Sequence, residues 1–345
     1  MIYLDYSATT KVNELVLSEI KDDLFKQASH DDLTFYKQKI KKILNSNHDV
    51  IFTSGSSESN NLSLKGICLN SNKKEIITTH LEHSSINETL NYLTTKGFKI
   101  KYVELKQGVV DLTSLQNLIT KDVGLITITS VNSETGMLNN VNEIGKIARK
   151  HNIPFHCDMT QSMGKINIPL ENIDLISISS HKFYGPKGIG LLLKNQNISL
   201  KKLIYGQRTY NLGLIKGLTK ALELSLLSLE ENYKKVEGLN NYLKDNLKNL
   251  PNIIINSNEN SIPYILNLSV LNYKPETFLH YLEMSNIYIS TKSACANGDY
   301  SKAVYYITND KRLAETSVRI SLSKETTKEN LDKLIKLIKE SKHGI

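Results

Sequence analysis

Short apolar runs alternate with helical patterns between about residue 35 and residue 195. Seven runs of four or five residues predict strands, and apolar residues three or four apart predict amphipathic helices between most of them. The predicted strands are 50–53, 75–78, 99–103, 125–128, 154–157, 175–178 and 190–193. This alternation predicts an α/β fold with a mostly parallel sheet covered by helices. Ligands of such sheets bind beyond the carboxyl ends of the strands.

The pattern changes after Gly206. Apolar residues three or four apart predict one long helix over 214–250, followed by strands at 253–255 and 264–268 and a helix near 275–284. A strand is predicted at 317–321, and a closing helix is predicted to begin at a capping box formed by Thr326 and Glu329. We therefore expect a large domain over 12–205, and a smaller α+β domain formed by 1–11 and 206–345.

Composition narrows the class of protein. The chain has 345 residues, of which 40% are hydrophobic and 23% charged, as in ordinary soluble globular proteins. Its net charge of +8 is not concentrated in a Lys/Arg block, so direct nucleic-acid binding is not expected. There is no apolar run of membrane-spanning length, and the first residues do not resemble a signal peptide. We expect a cytoplasmic protein that does not contact membranes.

The three cysteines lie in unrelated contexts. Their odd number and their spacing disfavour a disulfide framework and a metal site. Cys68 and Cys157 are predicted to lie in the core. Cys295 lies in a run of small and polar residues, where Lys292 would favour the thiolate, although a cysteine without a function is also consistent with this setting.

Asp158 and Lys182 suggest a pyridoxal phosphate (PLP) site. Asp158 follows an apolar strand, and Lys182 comes later in the chain, just after Ser179 and His181. PLP requires a lysine for its Schiff base, a carboxylate that keeps the pyridine nitrogen protonated, and polar groups that hold the phosphate. Gln161, three residues after Asp158, can reach the ring hydroxyl. Taken alone, Asp158 could equally be a helix N-cap.

Further candidates follow other strands. Ser56 and Ser57 open a helix directly after a strand, which suits a phosphate, although such residues often serve only as N-caps. His83 could stack on the pyridine ring and transfer protons, or be a surface histidine in a turn. Arg319 lies on a late apolar strand, where its guanidinium suits a substrate carboxylate or a structural ion pair.

Taken together, these residues resemble the cysteine desulfurases of the class V aminotransferase fold. These bacterial enzymes supply sulfur for iron–sulfur clusters and for thiolated tRNA. The similarity covers almost the whole chain, and the matching segments are 3–10, 52–62, Glu82-His83, Val131-Asn132-Ser133-Glu134-Thr135-Gly136, 158–162, 179–190, Ser293-Ala294-Cys295 and 317–322.

The resemblance implies a PLP-dependent transferase of fold type I and a role for each matching residue. Lys182 would bind PLP covalently, and Ser56, Ser57, Ser179 and His181 would surround its phosphate. Asp158 would pair with the ring nitrogen and Gln161 with the ring oxygen, while His83 would stack on the ring.

The resemblance also implies the reaction. Arg319 and Asn132 would hold the carboxylate of L-cysteine, and Cys295 would attack the substrate sulfur. The products would be L-alanine and a persulfide on Cys295, which passes to a sulfur-acceptor protein, either a cluster scaffold or a tRNA-thiolation enzyme. A homodimer is implied as well.

Departures from the family pattern affect the rim of the site, among them a shorter segment after Cys295 that lacks the usual Glu-Pro-Ser pattern. The family usually has a second asparagine where this chain has Ser133, so a contact to the ring oxygen would be shortened or lost. The loop before Thr209 is shortened, and Thr209 is the candidate for contacting the phosphate in the partner subunit. These departures suggest a divergent or specialised desulfurase.

Two alternatives remain at the level of the sequence. One is another enzyme of this fold, such as a selenocysteine lyase, an amino-acid lyase or a transaminase. The other is a non-catalytic relative that acts as a binding scaffold. The Ser-Ala-Cys setting of Cys295 favours sulfur transfer over the first alternative, and the presence of Lys182, Asp158, His83 and Cys295 disfavours the second.

Overall fold

The computed structural model describes residues 1–206, 208–271, 273–291 and 300–341. Its helices are α1 Glu14–Ile20, α2 His30–Ile43, α3 Ser56–Cys68, α4 Ser84–Thr94, α5 Leu112–Leu118, α6 Val141–Lys150, α7 Leu212–Leu227, α8 Leu229–Leu247, α9 Pro275–Glu283, α10 Lys302–Thr308, α11 Lys311–Glu315 and α12 Lys328–Glu340. A short 3-10 helix spans Ser180–Lys182.

The strands are β1 Ile2–Tyr3, β2 Asp49–Thr53, β3 Glu75–Thr78, β4 Lys99–Tyr102, β5 Leu105–Lys106, β6 Val109–Val110, β7 Val123–Thr127, β8 Phe155–Asp158, β9 Leu175–Ser179, β10 Gly190–Lys194, β11 Ile253–Ile255, β12 Ile265–Val270, β13 Ile287–Tyr288 and β14 Ser317–Ser321. All seven strands predicted before residue 195 are present.

Those seven strands form one sheet in the order β2-β10-β9-β8-β7-β3-β4. β10 is antiparallel to both of its neighbours, and the remaining pairs are parallel. The predicted fold class is confirmed. Because β8 and β9 are parallel neighbours, with Asp158 opposite Ser177, the end of β8 lies beside the 3-10 helix that follows β9. The sheet therefore brings Asp158 and Lys182 to the same edge.

A second sheet of three antiparallel strands has the order β11-β12-β14. Its hydrophobic core is separate from that of the large sheet, and α8, α9 and α12 pack into it. The start of the chain joins this part, because β1 pairs with β13 and Asp5 bridges to Ser321 of β14. Asp5, near the start of the sequence, thus lies close to Arg319. The predicted division into domains after residue 205 stays a prediction.

The single long helix predicted over 214–250 is wrong. Two helices, α7 and α8, meet at Ser228. Leu222 of α7 belongs to the core of the large sheet, whereas Val236 of α8 belongs to the core of the small sheet. The break occurs where the chain passes from one core to the other.

The capping box of the closing helix lies one residue later than predicted. Thr327 is the N-cap of α12, and its partner in the box is Asn330. The hydroxyl of Thr326 instead accepts a hydrogen bond from the backbone N–H of Ser323, so it is used in the preceding turn.

Two further observations concern the core and the surface. Cys68 and Cys157 are buried with free thiols, as predicted. In the described ranges, no helix combines the length and the apolar character needed to cross a membrane.

Candidate active site

A cavity of about 640 Å³ opens at the carboxyl ends of β7, β8 and β9, between the large sheet and β14. Most of the residues singled out from the sequence line it, and they come from distant parts of the chain. They are Ser56, Ser57, His83, Ser133, Asp158, Gln161, Ser179, His181, Lys182 and Arg319.

Lys182 reaches the cavity from the 3-10 helix that follows β9. Its Nζ donates hydrogen bonds to the carbonyl oxygens of Ser7, at 2.6 Å, and Ala8, at 2.7 Å. Burial, together with the positive charge of Arg319, lowers the pKa of Lys182 to about 8. A substantial fraction of the amine is therefore neutral near pH 8, and the neutral amine is the form that attacks a carbonyl group.

Asp158 ends β8 and is almost completely buried. Its Oδ2 accepts a hydrogen bond from Nδ2 of Asn60 at 2.8 Å, and its Oδ1 accepts one from the backbone N–H of Thr160 at 2.9 Å. Both oxygens of the carboxyl group are therefore held by hydrogen bonds from the protein. The arrangement presents a carboxylate suited to a protonated ring nitrogen.

The first turn of α3 forms the opposite end of the cavity. Gly55 is the N-cap, and no side chain caps this helix, so its first N–H groups are available to an anion. Gly55 has a φ of +154°, and a Cβ there would lie 3.5 Å from Ser179 Oγ. That distance is an ordinary contact, so it is the positive φ that favours glycine at this turn into α3, whose first residues, Ser56 and Ser57, line the cavity. This donor set fits a phosphate group.

Two histidines line the cavity with defined ring contacts. His181 Nδ1 lies 3.1 Å from Thr9 Oγ1, and burial, reinforced by Lys182, lowers its pKa to about 4. The His181 ring is therefore neutral at pH 7. His83 is the N-cap of α4, and its Nδ1 accepts a hydrogen bond from the Ser85 backbone N–H at 3.2 Å. In the neutral ring of His83 the proton thus lies on Nε2.

Arg319 is held in place from two directions. Its Nη2 pairs with Asp5 Oδ1 at 2.7 Å, and its Nη1 donates to the carbonyl oxygen of Ser133 at 2.8 Å. Nε is buried and has no hydrogen-bond partner in the described part of the chain. A guanidinium fixed in this way can still offer donors to a carboxylate.

Two residues predicted to belong to the site, Asn132 and Thr209, do not line this cavity. Asn132 Oδ1 accepts hydrogen bonds from the backbone N–H groups of Glu134 and Thr135, both at 3.0 Å, and Nδ2 donates to Leu81 O. The Asn132 side chain thereby stabilises the turn that brings Ser133 to the cavity. Thr209 is exposed and does not line this cavity. Their roles in binding cofactor or substrate stay predictions.

Cys295 lies outside the described residues, but residues on either side of its segment contact Arg319, which lines the cavity, and Glu134, which follows Ser133. On one side, Ser290 and Arg319 exchange backbone hydrogen bonds of 3.1 and 2.6 Å. On the other side, Ser301 Oγ donates to Glu134 Oε2 at 2.6 Å. Thr291, the last described residue before that segment, lines the cavity.

Several residues of the site were missed by sequence reasoning. Ser7 and Ala8 hold Lys182, Asn60 holds Asp158, and Asp5 holds Arg319. These four lie inside segments that match the family motifs, but nothing in the motifs assigns them a partner. Lys165, which contacts Gln161, was signalled only by the i, i+4 spacing of the two residues.

Comparisons with known proteins show the family to which this chain belongs. The family model described as aminotransferase class-V matches residues 2–207 and 194–334. A cysteine desulfurase IscS of Buchnera aphidicola subsp. Baizongia pistaciae is 35% identical, covering 99% of this chain and 92% of the relative. A solved structure of a NifS-like protein has a TM-score of 0.91 and 32% identity, with 98% of each chain covered.

A third similar protein is a solved structure described as SspA in complex with cysteine. It has a TM-score of 0.80 and 29% identity, and the match covers 95% of this chain and all of that one (100%). The class-V aminotransferase family uses PLP. The family match and the near-complete coverage of the relatives lead to one conclusion: this chain belongs to the class-V aminotransferase family, and it is cysteine desulfurase-like.

Proposed function

We propose that the protein is a PLP-dependent L-cysteine desulfurase that transfers the sulfur to Cys295. The observation that carries this proposal is the convergence of three groups on one cavity. These are the amine of Lys182, the buried carboxylate of Asp158 and the guanidinium of Arg319. The names of the relatives, and the solved relative described with cysteine, support L-cysteine as the substrate.

The side chains and backbone groups described above match the parts of PLP. Lys182 would be its covalent attachment point, and Asp158 would face the ring nitrogen. The α3 terminus with Ser57, together with Ser179, would hold the phosphate. When bound, PLP supplies a sink for the electron pair that appears on the substrate carbon.

The substrate would be oriented by Arg319, which binds its α-carboxylate. Asp5 and Ser133 fix the guanidinium, so little rotational freedom is lost when the carboxylate arrives. The lowered pKa of Lys182 suits a group that takes a proton from the substrate α-carbon and returns it near neutral pH. His83, whose neutral ring carries its proton on Nε2, would transfer another proton.

The sulfur would move to Cys295 in a balanced step. The Cys295 thiolate attacks the substrate sulfur, so an S–S bond forms while the C–S bond breaks. The electron pair of the C–S bond goes to the carbon, which takes up one proton and becomes the methyl group of L-alanine. Cys295 is left as a persulfide, whose outer sulfur passes to a thiol of an acceptor protein. We also propose a homodimer in which Thr209 contacts the partner's phosphate site.

The proposal is tested with the purified, PLP-loaded protein and L-cysteine. We expect a visible absorption band of lysine-bound PLP, L-alanine as product, and the mass of one extra sulfur atom on the peptide that carries Cys295. Cys295→Ala should reduce alanine formation by about a hundredfold or more, because the nucleophile is lost. Cys68→Ala, which removes a buried thiol away from the cavity, is the matched control.

Three results would reject the proposal. The protein could fail to take up PLP, which would favour a non-catalytic scaffold. Cys295→Ala could form alanine at the wild-type rate, which would exclude the persulfide. Pyruvate or a 2-oxo acid could replace alanine as the product, which would favour a lyase or a transaminase.

A further inference from the structure

A lysine that no motif explains lies next to the candidate cofactor site. Lys165, between β8 and β9, is only 6% exposed, and its Nζ donates to Gln161 Oε1 at 2.9 Å. Within the described ranges no carboxylate pairs with it, and the charged groups that affect it are Lys182 and Arg319, both positive. Burial, followed by these two charges, lowers the pKa of Lys165 to about 7. A buried cation without a counter-charge is costly, and the acceptor recorded for Lys165 in the described part of the chain is Gln161 Oε1.

The contact with Lys165 determines which way the amide of Gln161 faces. Lys165 Nζ donates to Gln161 Oε1, and in its charged form it can only donate, so the carbonyl oxygen of Gln161 is the atom that faces Lys165. The amide nitrogen then lies on the other side, where it donates to the carbonyl oxygen of Ser7 at 2.9 Å. That nitrogen carries two hydrogens and Ser7 takes one, so the second is left for a group bound in the cavity that Gln161 lines.

We propose that Lys165 is a positioning residue that orients the Gln161 amide, so that its NH2 group and not its carbonyl faces the bound cofactor. This inference rests on the proposed PLP site. The group that Gln161 would meet is the ring oxygen of PLP, which accepts hydrogen bonds when ionised. With the amide reversed, two oxygen atoms carrying lone pairs would face each other, and the contact would become repulsive.

A purely structural role for Lys165 makes a different prediction. Met fills a similar volume without a donor, and apolar replacements of buried charges are often neutral or stabilising. If Lys165 only packs, Lys165→Met should leave the affinity and the spectrum of the bound cofactor unchanged. If Lys165 orients Gln161, the same change should alter both, and only when Gln161 is present.

The experiment is a double-mutant cycle with four proteins: wild type, Lys165→Met, Gln161→Leu and the double variant. The measurements are the dissociation constant of PLP and the absorption maximum of the bound cofactor. We expect Lys165→Met to weaken PLP binding by about three- to tenfold, the effect of one hydrogen bond, and to shift the absorption maximum. In the Gln161→Leu background, Lys165→Met should change neither quantity further.

Equal effects of Lys165→Met in both backgrounds would overturn the inference. Thermal unfolding of the four PLP-free proteins checks the fold, and Lys165→Leu takes the place of Lys165→Met in the cycle if the latter does not fold. A wild-type protein that binds no PLP would refute the proposed function itself. A wild type that binds PLP but shows an additive cycle would refute only the role of Lys165.

Discussion

Asn60 donates a hydrogen bond to the carboxylate of Asp158, with 2.8 Å between Asn60 Nδ2 and Asp158 Oδ2. Asn60 belongs to α3, the helix whose first residues are Ser56 and Ser57. One helix would therefore serve both ends of the proposed cofactor site, because its first residues line the cavity where the phosphate would lie and Asn60 holds the carboxylate that would face the ring. A rigid helix fixes the separation between the two ends.

Replacing Asn60 with Ala should weaken cofactor binding. The change removes a donor to a buried charged group, so we expect the affinity for PLP to fall about tenfold or more. Equilibrium dialysis of PLP against the purified protein measures this. Asn61→Ala is the matched control, because Asn61 lies next along α3, does not line the cavity and bonds to the Ser57 carbonyl. An equal loss of affinity in both variants would contradict the prediction.

Replacing Arg319 with Lys should affect the substrate more than the cofactor. The two terminal nitrogens of Arg319 contact Asp5 and Ser133 at the same time, and one ammonium group cannot reproduce this fork. We expect the KM for L-cysteine to rise about tenfold or more, with the spectrum of bound PLP unchanged. Arg312→Lys, at an exposed position, should behave as wild type. An unchanged KM in Arg319→Lys would rule out its role in substrate binding.

The strands and the polar residues at their ends could be predicted because both are local features. Asp158 follows an apolar run directly, and the parallel order of strands then brings such residues to one edge. The partners of these residues could not be predicted in the same way. Ser7 and Lys182 are separated by 175 positions, and no spacing rule joins them. Their contact depends on the path of the first residues, which run from Asp5 beside β14 to Thr10 beside His181.

The helix predicted over 214–250 illustrates a second limit. The apolar period of α7 continues into α8, and a period indicates that a helix buries one face without indicating which core receives it. The change of core at Ser228 became visible only with the tertiary structure. Lys165 was missed for a related reason, because a lysine is ordinarily exposed and its burial depends on distant segments.

The buried carboxyl group of Glu82 should make stability depend on pH. Burial raises its pKa from 4.5 to about 8, although Thr79 and the backbone of Thr129 donate to it. Between these two values the folded protein holds a proton that the unfolded chain releases, so this group lowers stability as pH rises from about 4.5 to 8. Glu82→Gln, which cannot ionise, should lose this dependence.

Urea unfolding of the PLP-free proteins at pH 5 and pH 8 measures the effect of Glu82. We expect Glu82→Gln to gain stability relative to wild type at pH 8, with a difference on the order of a few kcal/mol between the two pH values. Glu88→Gln, on α4, serves as the control and should follow the wild type. A stability difference between wild type and Glu82→Gln that is the same at both pH values would contradict the raised pKa.

Ser301 should influence sulfur transfer without contacting the substrate. Its hydroxyl donates to Glu134 Oε2 at 2.6 Å and caps α10 by accepting from the backbone N–H of Val304 at 3.2 Å. The first of these contacts joins the segment that carries Cys295 to the turn beside Ser133. Ser301→Ala should slow formation of the Cys295 persulfide by about three- to tenfold, the effect of one hydrogen bond, with the PLP spectrum unchanged.

Rapid quenching followed by mass analysis of the Cys295 peptide measures persulfide formation in a single turnover. Asp310→Ala is the matched control, because Asp310 caps the next helix, α11, by accepting from the backbone N–H groups of Arg312 and Leu313. Each variant loses a helix cap, at a cost of about 1 kcal/mol in stability, but only Ser301→Ala loses the link to Glu134. Slower persulfide formation in Ser301→Ala alone would show that this link positions the thiol, whereas equal slowing in both variants would attribute the effect to lost caps.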